Sequence, residues 1–276
     1  MKTKKIGLVG IYFPGAYDAL HENVPEGFEL VDALSPEAYG NLADCEYLIS
    51  RLDIDPDIIN HTPNVKFWQR WGAGFDHVDL KAWGERGIPI ATCPGVNSGI
   101  VAELAIMLML AGYRNLLQIN RQLRAGHWPR TEYFGRSFMI KGKTVGVLGL
   151  GHIGKKVAAL ASAFGANVIY YDIVRQPEQE EQFGYRFVDF DTLLKESDIF
   201  TIHCPLNEET RGMIGAAQFA KMKPTAMLIN TARGPIVDEA ALVDALTTGK
   251  IATAGLDTYE HEPLPKDHPL LTLDNV

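Results

Sequence analysis

The sequence contains few of the residues on which disulfide-bonded or metal-binding domains depend. Three of its 276 residues are cysteine, and they lie far apart at Cys45, Cys93 and Cys204. An odd number of cysteines without metal-ligand spacing predicts reduced thiols, as in cytoplasmic proteins. We therefore expect a cytoplasmic protein without a metal site.

Positive charge and long apolar runs are also scarce. The chain has 26 Lys and Arg against 34 Asp and Glu, a formal net charge of −8 at pH 7. This balance argues against nucleic acid or an anionic membrane as the main partner, but not against a small anion in a locally positive cleft. The most apolar segment, Ile100 to Ala111, is interrupted by Glu103 and is too short to span a bilayer. The basic N-terminus resembles a signal peptide, but glycines interrupt its apolar run, which favours a first β-strand.

Strand-like and helix-like segments alternate along the chain. Its length predicts two domains, and 46% hydrophobic with 22% charged residues is ordinary for a globular protein. In the first part, strands are predicted at Lys5–Ile11, Phe28–Ala33, Glu46–Arg51, Val65–Trp71 and Ile88–Cys93, and helices at Ala16–Glu22, Pro36–Leu42, Pro56–His61 and Leu80–Glu85. Such alternation indicates βαβ units and a parallel sheet.

A long helix is predicted from Ser98 to about Arg124, and we expect it to lead into a second domain. We therefore assign residues 1–98 to one domain and residues 99–276 to the other. Predicted strands of the second domain are Thr144–Leu148, Asn167–Tyr171, Tyr185–Val188, Asp198–Cys204, Thr225–Thr231 and Ile251–Tyr259, and predicted helices are Ile153–Phe164, Phe190–Glu196, Ala216–Met222 and Glu239–Leu246. Together they predict a doubly wound α/β sheet.

A glycine-rich turn separates the first strand of that sheet from its helix. The turn reads Gly149-Leu150-Gly151-His152-Ile153-Gly154. In a dinucleotide-binding turn the first glycine permits the tight bend, the second lets a pyrophosphate approach the backbone, and the third lets the helix pack on its strand. The helix would present its free N–H groups to the phosphates. A phosphate-binding P-loop is excluded because Lys156 stands where Ser or Thr must hold magnesium.

An acidic residue ends the second strand of the same sheet. Asp172 lies 172 − 154 = 18 residues after the last glycine of the turn. A carboxylate there accepts both ribose hydroxyls of NAD and repels the 2′-phosphate of NADP. The sequence therefore predicts NAD over NADP, with one doubt: Arg175 follows closely and could partly neutralise the acid.

Several stretches, in this order, resemble the D-isomer-specific 2-hydroxyacid dehydrogenase family over nearly the whole chain. They are Trp71 to Asp79, Pro94 to Asn97 with Val101 to Glu103, Gly149 to Gly154, His203 to Leu206, Asn230 to Gly234, and Ala254 to Pro263. The resemblance implies a flavodoxin-like small domain, a Rossmann NAD-binding domain and substrate in the cleft between them. It implies an NAD-dependent oxidoreductase that interconverts a 2-oxo acid and a D-2-hydroxy acid. A dinucleotide-sensing corepressor on the same fold is the alternative.

The resemblance also implies roles for individual residues. Arg233 would hold the substrate carboxylate and polarise the C2 oxygen. Glu262 would pair with the catalytic histidine, which fixes the imidazole tautomer and raises its pKa. The loop of Gly72, Ala73 and Gly74 would offer backbone N–H groups to the substrate carboxylate. The residues expected to bind the cofactor are Gly149, Gly151, His152, Ile153, Gly154, Asp172, His203, Pro205, Thr231, Ala232 and Asp257.

The chain departs from the family pattern in one respect. The family's acid/base histidine falls shortly after the position of Asn275-Val276, where this sequence stops. Either the sequence is a truncated copy of a longer protein or it is a natural short form, and an ending inside a predicted strand favours truncation. His268 matches a family loop and is not a substitute. The family resemblance further implies a homodimer. The sequence leaves two roles open for Arg70, which is either a contact for an acidic substrate or a rim cation.

Overall fold

A computed structural model describes residues 3–52 and 54–276 of the chain. The chain divides into two compact units, residues 1–97 and residues 98–276. Both are α/β units built on parallel sheets, which confirms the predicted fold class.

The first unit contains a five-stranded parallel sheet. Its strands are β1 (Lys4–Gly10), β2 (Phe28–Ala33), β3 (Tyr47–Arg51), β4 (Phe67–Arg70) and β5 (Ile90–Ala91), and its helices are α1 (Pro14–Glu22), α2 (Ile58–His61) and α3 (Leu80–Glu85). The strand order is β2-β1-β3-β4-β5, with Ile6 opposite both Leu30 and Tyr47. This is the flavodoxin-like order.

The second unit contains a six-stranded parallel sheet. Its strands are β6 (Thr144–Leu148), β7 (Asn167–Tyr171), β8 (Arg186–Phe187), β9 (Ile199–Ile202), β10 (Met227–Asn230) and β11 (Thr253–Leu256). Its helices are α4 (Ser98–Tyr113), α5 (Leu116–Arg124), α6 (His152–Ala163), α7 (Pro177–Phe183), α8 (Phe190–Glu196), α9 (Ala216–Phe219) and α10 (Glu239–Thr247). The order β11-β10-β9-β6-β7-β8 is that of a Rossmann sheet.

Helices cover both faces of this sheet, which explains the uninterrupted apolar runs of its central strands. Every residue of β9 and β10 is buried, as expected for parallel strands covered on two sides. One face packs against α4 and α6 through residues such as Met109 and Val157. The other face carries a second cluster that includes Leu193 and Leu242.

The prediction of one continuous helix from Ser98 to about Arg124 is wrong. The segment forms two helices, α4 and α5, with a bend of 59° between them. Asn115 adopts a left-handed conformation at the break, with φ 50°, a region that Asn tolerates better than most residues. Its side-chain Nδ2 donates to the carbonyl oxygen of Arg136 at 3.0 Å, which stabilises the bend.

Other segments also differ from the prediction. Helix α7 was not predicted. The helix predicted at Pro36–Leu42 is a 3-10 helix that extends to Asp44, and most predicted strands are one to five residues too long. The strand expected at the C-terminal end is not formed within the described residues. Asn275 nevertheless accepts a hydrogen bond through its carbonyl oxygen from the Ala254 N–H at 3.0 Å.

Three further features concern membranes, thiols and metals. No single helix among the described residues is both long and apolar enough to cross a membrane, and the bent pair α4–α5 meets that test of length and composition only when its two helices are joined. Cys45, Cys93 and Cys204 form no disulfide in the structure. No group of three or more His, Cys, Asp or Glu residues within positions 3–52 and 54–276 is placed to hold a metal ion.

A buried hydrogen bond in the first unit can be tested for its contribution to stability. The Trp68 Nε1–H donates to Ser50 Oγ at 2.7 Å, and both residues are buried. Ser50→Ala should lower the free energy of unfolding by about 1–3 kcal/mol, because the indole N–H loses its acceptor. Urea unfolding measures this change, with Thr3→Ala as a control at an exposed hydroxyl. Equal stability of Ser50→Ala and the control would contradict the prediction.

Candidate functional site

Most of the predicted site residues lie at one edge of the second sheet. Five of them come immediately after the last residue of β6, β7, β9, β10 and β11, respectively: Gly149, Asp172, His203, Thr231 and Asp257. Because all six strands are parallel, their carboxyl ends meet at this edge. The strand order reverses between β6 and β9, and open α/β sheets bind ligands outside such a switch point.

The glycine turn after β6 requires glycine at two positions. Gly149 has φ 90°, and a Cβ there would lie 2.7 Å from the backbone nitrogen of Cys204. A Cβ on Gly154 would overlap the carbonyl oxygen of Gly149. The turn therefore brings α6 against β6 and places the backbone of β6 beside the end of β9.

The middle of the turn is open. Gly151 precedes α6, and a Cβ built on it would meet no atom within 4 Å. His152 is exposed and Ile153 is half-buried at the first positions of the helix. The N-terminus of this 12-residue helix carries unpaired N–H groups and a partial positive charge. This space and this charge fit a pyrophosphate.

The carboxylate of Asp172 is held by the backbone on both sides of it. Its Oδ2 accepts from the Leu150 N–H at 2.6 Å, and its Oδ1 accepts from the Val174 N–H at 3.1 Å. The first of these bonds joins the end of β7 to the glycine turn. Arg175, which raised a doubt about the choice of cofactor, is paired with Glu180 at 2.8 Å. In the structure Arg175 therefore pairs with Glu180 and not with Asp172.

His203 is a half-buried imidazole with an unusually low basicity. Its Nε2 lies 2.8 Å from Thr201 Oγ1, and burial lowers its pKa to about 3. The ring is therefore neutral at physiological pH. Its Nδ1, together with the hydroxyl oxygens of Thr231 and Thr258, is buried without a hydrogen-bond partner in the described part of the chain. Three such atoms after β9, β10 and β11 fit a polar ligand, because buried polar atoms otherwise find partners.

A clamp after β10 shapes the turn that carries Arg233. The buried Asn230 donates through Nδ2 to the Arg233 carbonyl oxygen at 2.9 Å and accepts through Oδ1 from the Ala232 N–H at 3.0 Å. Arg233 is half-buried, and its Nη1 donates to the carbonyl oxygen of Ala232 at 2.8 Å. A Cβ on Gly234 would overlap the carbonyl of Tyr259. The Arg233 turn is therefore in close contact with the loop after β11.

The loop after β11 carries the two predicted acids close together. The Asp257 N–H donates to the Asn230 carbonyl oxygen at 3.0 Å. Burial, and secondly the charge of Glu262, raise the pKa of Asp257. Glu262 is exposed, and its Oε1 accepts from the Tyr259 N–H at 2.9 Å.

Sequence reasoning missed the residue that fastens this loop. The buried carboxylate of Glu239 accepts from the Glu260 N–H at 2.6 Å and lies 3.3 Å from His268 Nε2. One side chain therefore holds both ends of residues 260–268. In the sequence Glu239 reads as an ordinary acidic residue in the first turn of a helix, because Asp238 before it is the N-cap. The clamp formed by Asn230 was missed as well.

The predicted substrate loop of Gly72, Ala73 and Gly74 belongs to the first unit. The Gly72 N–H donates to the Arg70 carbonyl oxygen at 3.0 Å, so this donor of the expected anion nest is already used. The N–H groups of Ala73 and Gly74 have no acceptor among the described residues. The expected nest is thus reduced to these two donors.

Of the two roles that the sequence left open for Arg70, that of a rim cation is wrong. It is 5% exposed, and its Nε donates to the Gly74 carbonyl oxygen at 3.0 Å. Its other nitrogens contact the Leu52 carbonyl oxygen and His77 Nε2, the latter at 2.7 Å. Arg70 therefore holds the glycine loop from inside the unit.

Pro205, the last of the predicted cofactor residues, is exposed after β9. Its carbonyl oxygen accepts from Thr210 Oγ1 at 2.7 Å. All the predicted site residues except those of the Gly72–Gly74 loop thus belong to the second unit.

Known proteins share this sequence and fold. The family model described as D-isomer specific 2-hydroxyacid dehydrogenase, NAD binding domain, matches residues 106–276, so the expected NAD-binding domain is confirmed. D-3-phosphoglycerate dehydrogenase of Archaeoglobus fulgidus is 46% identical over 227 residues, or 82% of this chain and 43% of that protein. Glyoxylate reductase of Thermofilum pendens is 43% identical over 245 residues, or 87% of this chain and 72% of that protein.

A solved structure extends the similarity to the fold. The NAD-dependent formate dehydrogenase from Staphylococcus aureus in complex with NAD is 30% identical, with a TM-score of 0.85, over 98% of this chain and 86% of that one. The three relatives differ in the substrate that their names give. The chain also spans less than half of the length of the phosphoglycerate dehydrogenase.

The low pKa of His203 predicts a dependence of stability on pH. An unfolded histidine has a pKa of about 6.5, whereas burial lowers the pKa of His203 to about 3. Between these values the unfolded chain binds the additional proton, so the free energy of unfolding falls as the pH decreases through this window. Urea unfolding at pH 7 and pH 4.5 should show a larger loss in the wild type than in His203→Gln. Equal losses would contradict a neutral imidazole at His203.

Proposed function

Because this chain belongs to the D-isomer-specific 2-hydroxyacid dehydrogenase family and contains that family's NAD-binding domain, we propose that it interconverts a 2-oxo acid and a D-2-hydroxy acid. Reduction adds a hydride to C2 of the oxo acid and a proton to its C2 oxygen. The observation that carries the proposal is Arg233, whose backbone carbonyl oxygen is held by Asn230 at the same sheet edge as the glycine turn. A cation beside a dinucleotide site is what a carboxylate substrate requires.

The cofactor roles are distributed along the sheet edge. When bound, NAD supplies the hydride chemistry. We assign the pyrophosphate to the turn of Gly149, Gly151 and Gly154, with His152 and Ile153 at the helix N-terminus, and the ribose hydroxyls to Asp172. His203 and Pro205 form the wall at the adenosine half. Thr231, Ala232 and Asp257 are assigned to the nicotinamide, and the unpaired hydroxyl of Thr231 supports this.

The substrate roles depend on positive charge and on free backbone donors. Arg233 binds the carboxylate and stabilises the negative charge that develops on the C2 oxygen during hydride transfer. The N–H groups of Ala73 and Gly74, beside Gly72, are further donors for the carboxylate. By the family resemblance, Glu262 would pair with the family's acid/base histidine. Its Oε1 already accepts from Tyr259, which leaves Oε2 without a partner in the described residues and available to an imidazole N–H.

The corepressor alternative receives no support. The three relatives described above are all named as enzymes.

Their substrates differ, so glyoxylate, hydroxypyruvate, pyruvate and longer 2-oxo acids have to be compared. Steady-state oxidation of NADH by the protein expressed from its whole gene is the direct experiment. Absence of turnover with every 2-oxo acid would overturn the proposed reaction.

Arg233→Lys provides the sharpest test of the mechanism. The substitution keeps the charge but loses the planar two-pronged donor. Turnover should fall about 10²–10³-fold, the typical effect of losing one charge-stabilising donor, while the dissociation constant of NADH should hardly change. Turnover and NADH binding are measured in parallel. Near-normal turnover would remove Arg233 from the mechanism, and equal losses in both quantities would make it a structural or cofactor residue.

We further propose a cytoplasmic homodimer that pairs through α4 and α5. Large apolar side chains are exposed on these helices: Ile100, Met107, Leu116 and Leu117. Sedimentation equilibrium at micromolar concentration should detect a dimer, and Met107→Glu should dissociate it because a charge would enter the apolar contact. Leu34→Glu, at an exposed leucine of the first unit, is the matched control. A wild-type protein that is only monomeric would contradict the proposal.

A further inference from the structure

Two charged residues with opposite effects on binding of the NADP 2′-phosphate follow β7, three positions apart. Asp172 is suited to the ribose hydroxyls of NAD and repels a 2′-phosphate, whereas an arginine nearby accommodates that phosphate in NADP-binding proteins. Arg175 is such an arginine by sequence. Which cofactor is preferred therefore depends on where the guanidinium of Arg175 is held.

The guanidinium is bound by both oxygens of one carboxylate. Arg175 Nε donates to Glu180 Oε1 at 2.9 Å, and Nη2 donates to Oε2 at 2.8 Å. This two-pronged arrangement is the strong form of an Arg–carboxylate pair. It also occupies the Nε and Nη2 edge of the guanidinium, one of the edges at which a phosphate could bind with two hydrogen bonds.

Glu180 is itself fixed in place, unlike the acid of an ordinary surface ion pair. Its side chain is 18% exposed, against 61% for Arg175. Tyr170, buried in β7, donates through its hydroxyl to Glu180 Oε1 at 2.9 Å. The hydrogen bonds from Arg175 lower the pKa of Glu180 to about 2, so the pair remains charged across the physiological range of pH.

The surrounding loop is tied to the same tyrosine. The Gln176 N–H donates to the Tyr170 hydroxyl at 2.8 Å, and Gln176 Nε2 donates to the Leu150 carbonyl oxygen at 3.0 Å. The Arg175 guanidinium also lies 5.6 Å from the centroid of the Phe187 ring. Arg175 is thus held towards α7 and β8 by contacts on two sides.

We propose that Glu180 is a specificity-determining residue, which excludes NADP by keeping the Arg175 guanidinium away from the 2′-phosphate. Asp172 then opposes the phosphate without a neighbouring cation to compensate. The inference rests on the proposed binding of the ribose at Asp172. It extends cofactor selection from the acid at the end of β7 to a second acid on α7.

A double-mutant cycle tests the proposal through binding alone. Dissociation constants of NADH and NADPH are measured by fluorescence for the wild type, Glu180→Gln, Arg175→Ala and the double variant. Gln has the shape of Glu and still accepts from Tyr170, but it lacks the charge that holds Arg175. Glu181→Gln is the matched control, because it removes the same charge from the neighbouring exposed residue.

Glu180→Gln should tighten NADPH binding roughly tenfold, the scale of one charge-assisted hydrogen bond, and leave NADH binding within about twofold. The gain should disappear in the double variant, since it requires the arginine. An equal gain in Glu181→Gln, or a gain that survives Arg175→Ala, would reduce the effect to net charge and overturn the proposal. A wild-type protein that binds no NADH would instead overturn the proposed function, and this inference with it.

Discussion

The site depends on the close contact of backbone with backbone at the switch point of the second sheet. Gly149 has no room for a side chain because the start of the segment after β9 lies against it, and Gly154 has none because it packs on Gly149. These contacts set the position of α6 over β6. The open space at Gly151 and the unpaired helix N-terminus follow from that position. A larger residue at either contact would displace the helix end at which a phosphate would bind.

The remaining side chains of the site are positioned by buried polar residues after the strands. Asn230 shapes the Arg233 turn and receives the Asp257 N–H, so one residue connects the ends of β10 and β11. Glu239 then fastens the loop that carries Glu262. Buried polar groups with several partners hold one conformation, because breaking any of their bonds leaves an unsatisfied atom. The functional side chains can therefore be half-exposed and still have fixed positions.

Short-range patterns predicted the parts of the molecule that depend on neighbours in sequence. The alternation of strands and helices, the glycine turn and the place of Asp172 at the end of the second strand follow from residues a few positions apart, and these three features agree with the structure. The break between α4 and α5 was missed because one left-handed Asn115 interrupts an otherwise continuous helical pattern. The strands were predicted too long because apolar or β-branched residues continue past the ends of several of them.

Contacts between residues far apart in the sequence could not be predicted from such patterns. The sequence leaves the role of Arg70 open until its partners Gly74 and His77 are known. The same holds for Arg175, whose effect on Asp172 depends on the orientation of its guanidinium towards Glu180. The charge of an arginine is visible in a sequence, but the acid that it contacts is decided by the packing of whole elements.

The contacts of Glu239 with Glu260 and His268 also have an evolutionary consequence. A single carboxylate holds residues 260 and 268, so the two ends of this loop are fixed independently of the residues between them. Residues 263–267 are mostly exposed, and lengthening a surface loop whose ends are already held costs little free energy. Insertions and exchanges can accumulate there without moving Glu262. Related chains can therefore be expected to vary in length at this point while they preserve the acid at position 239.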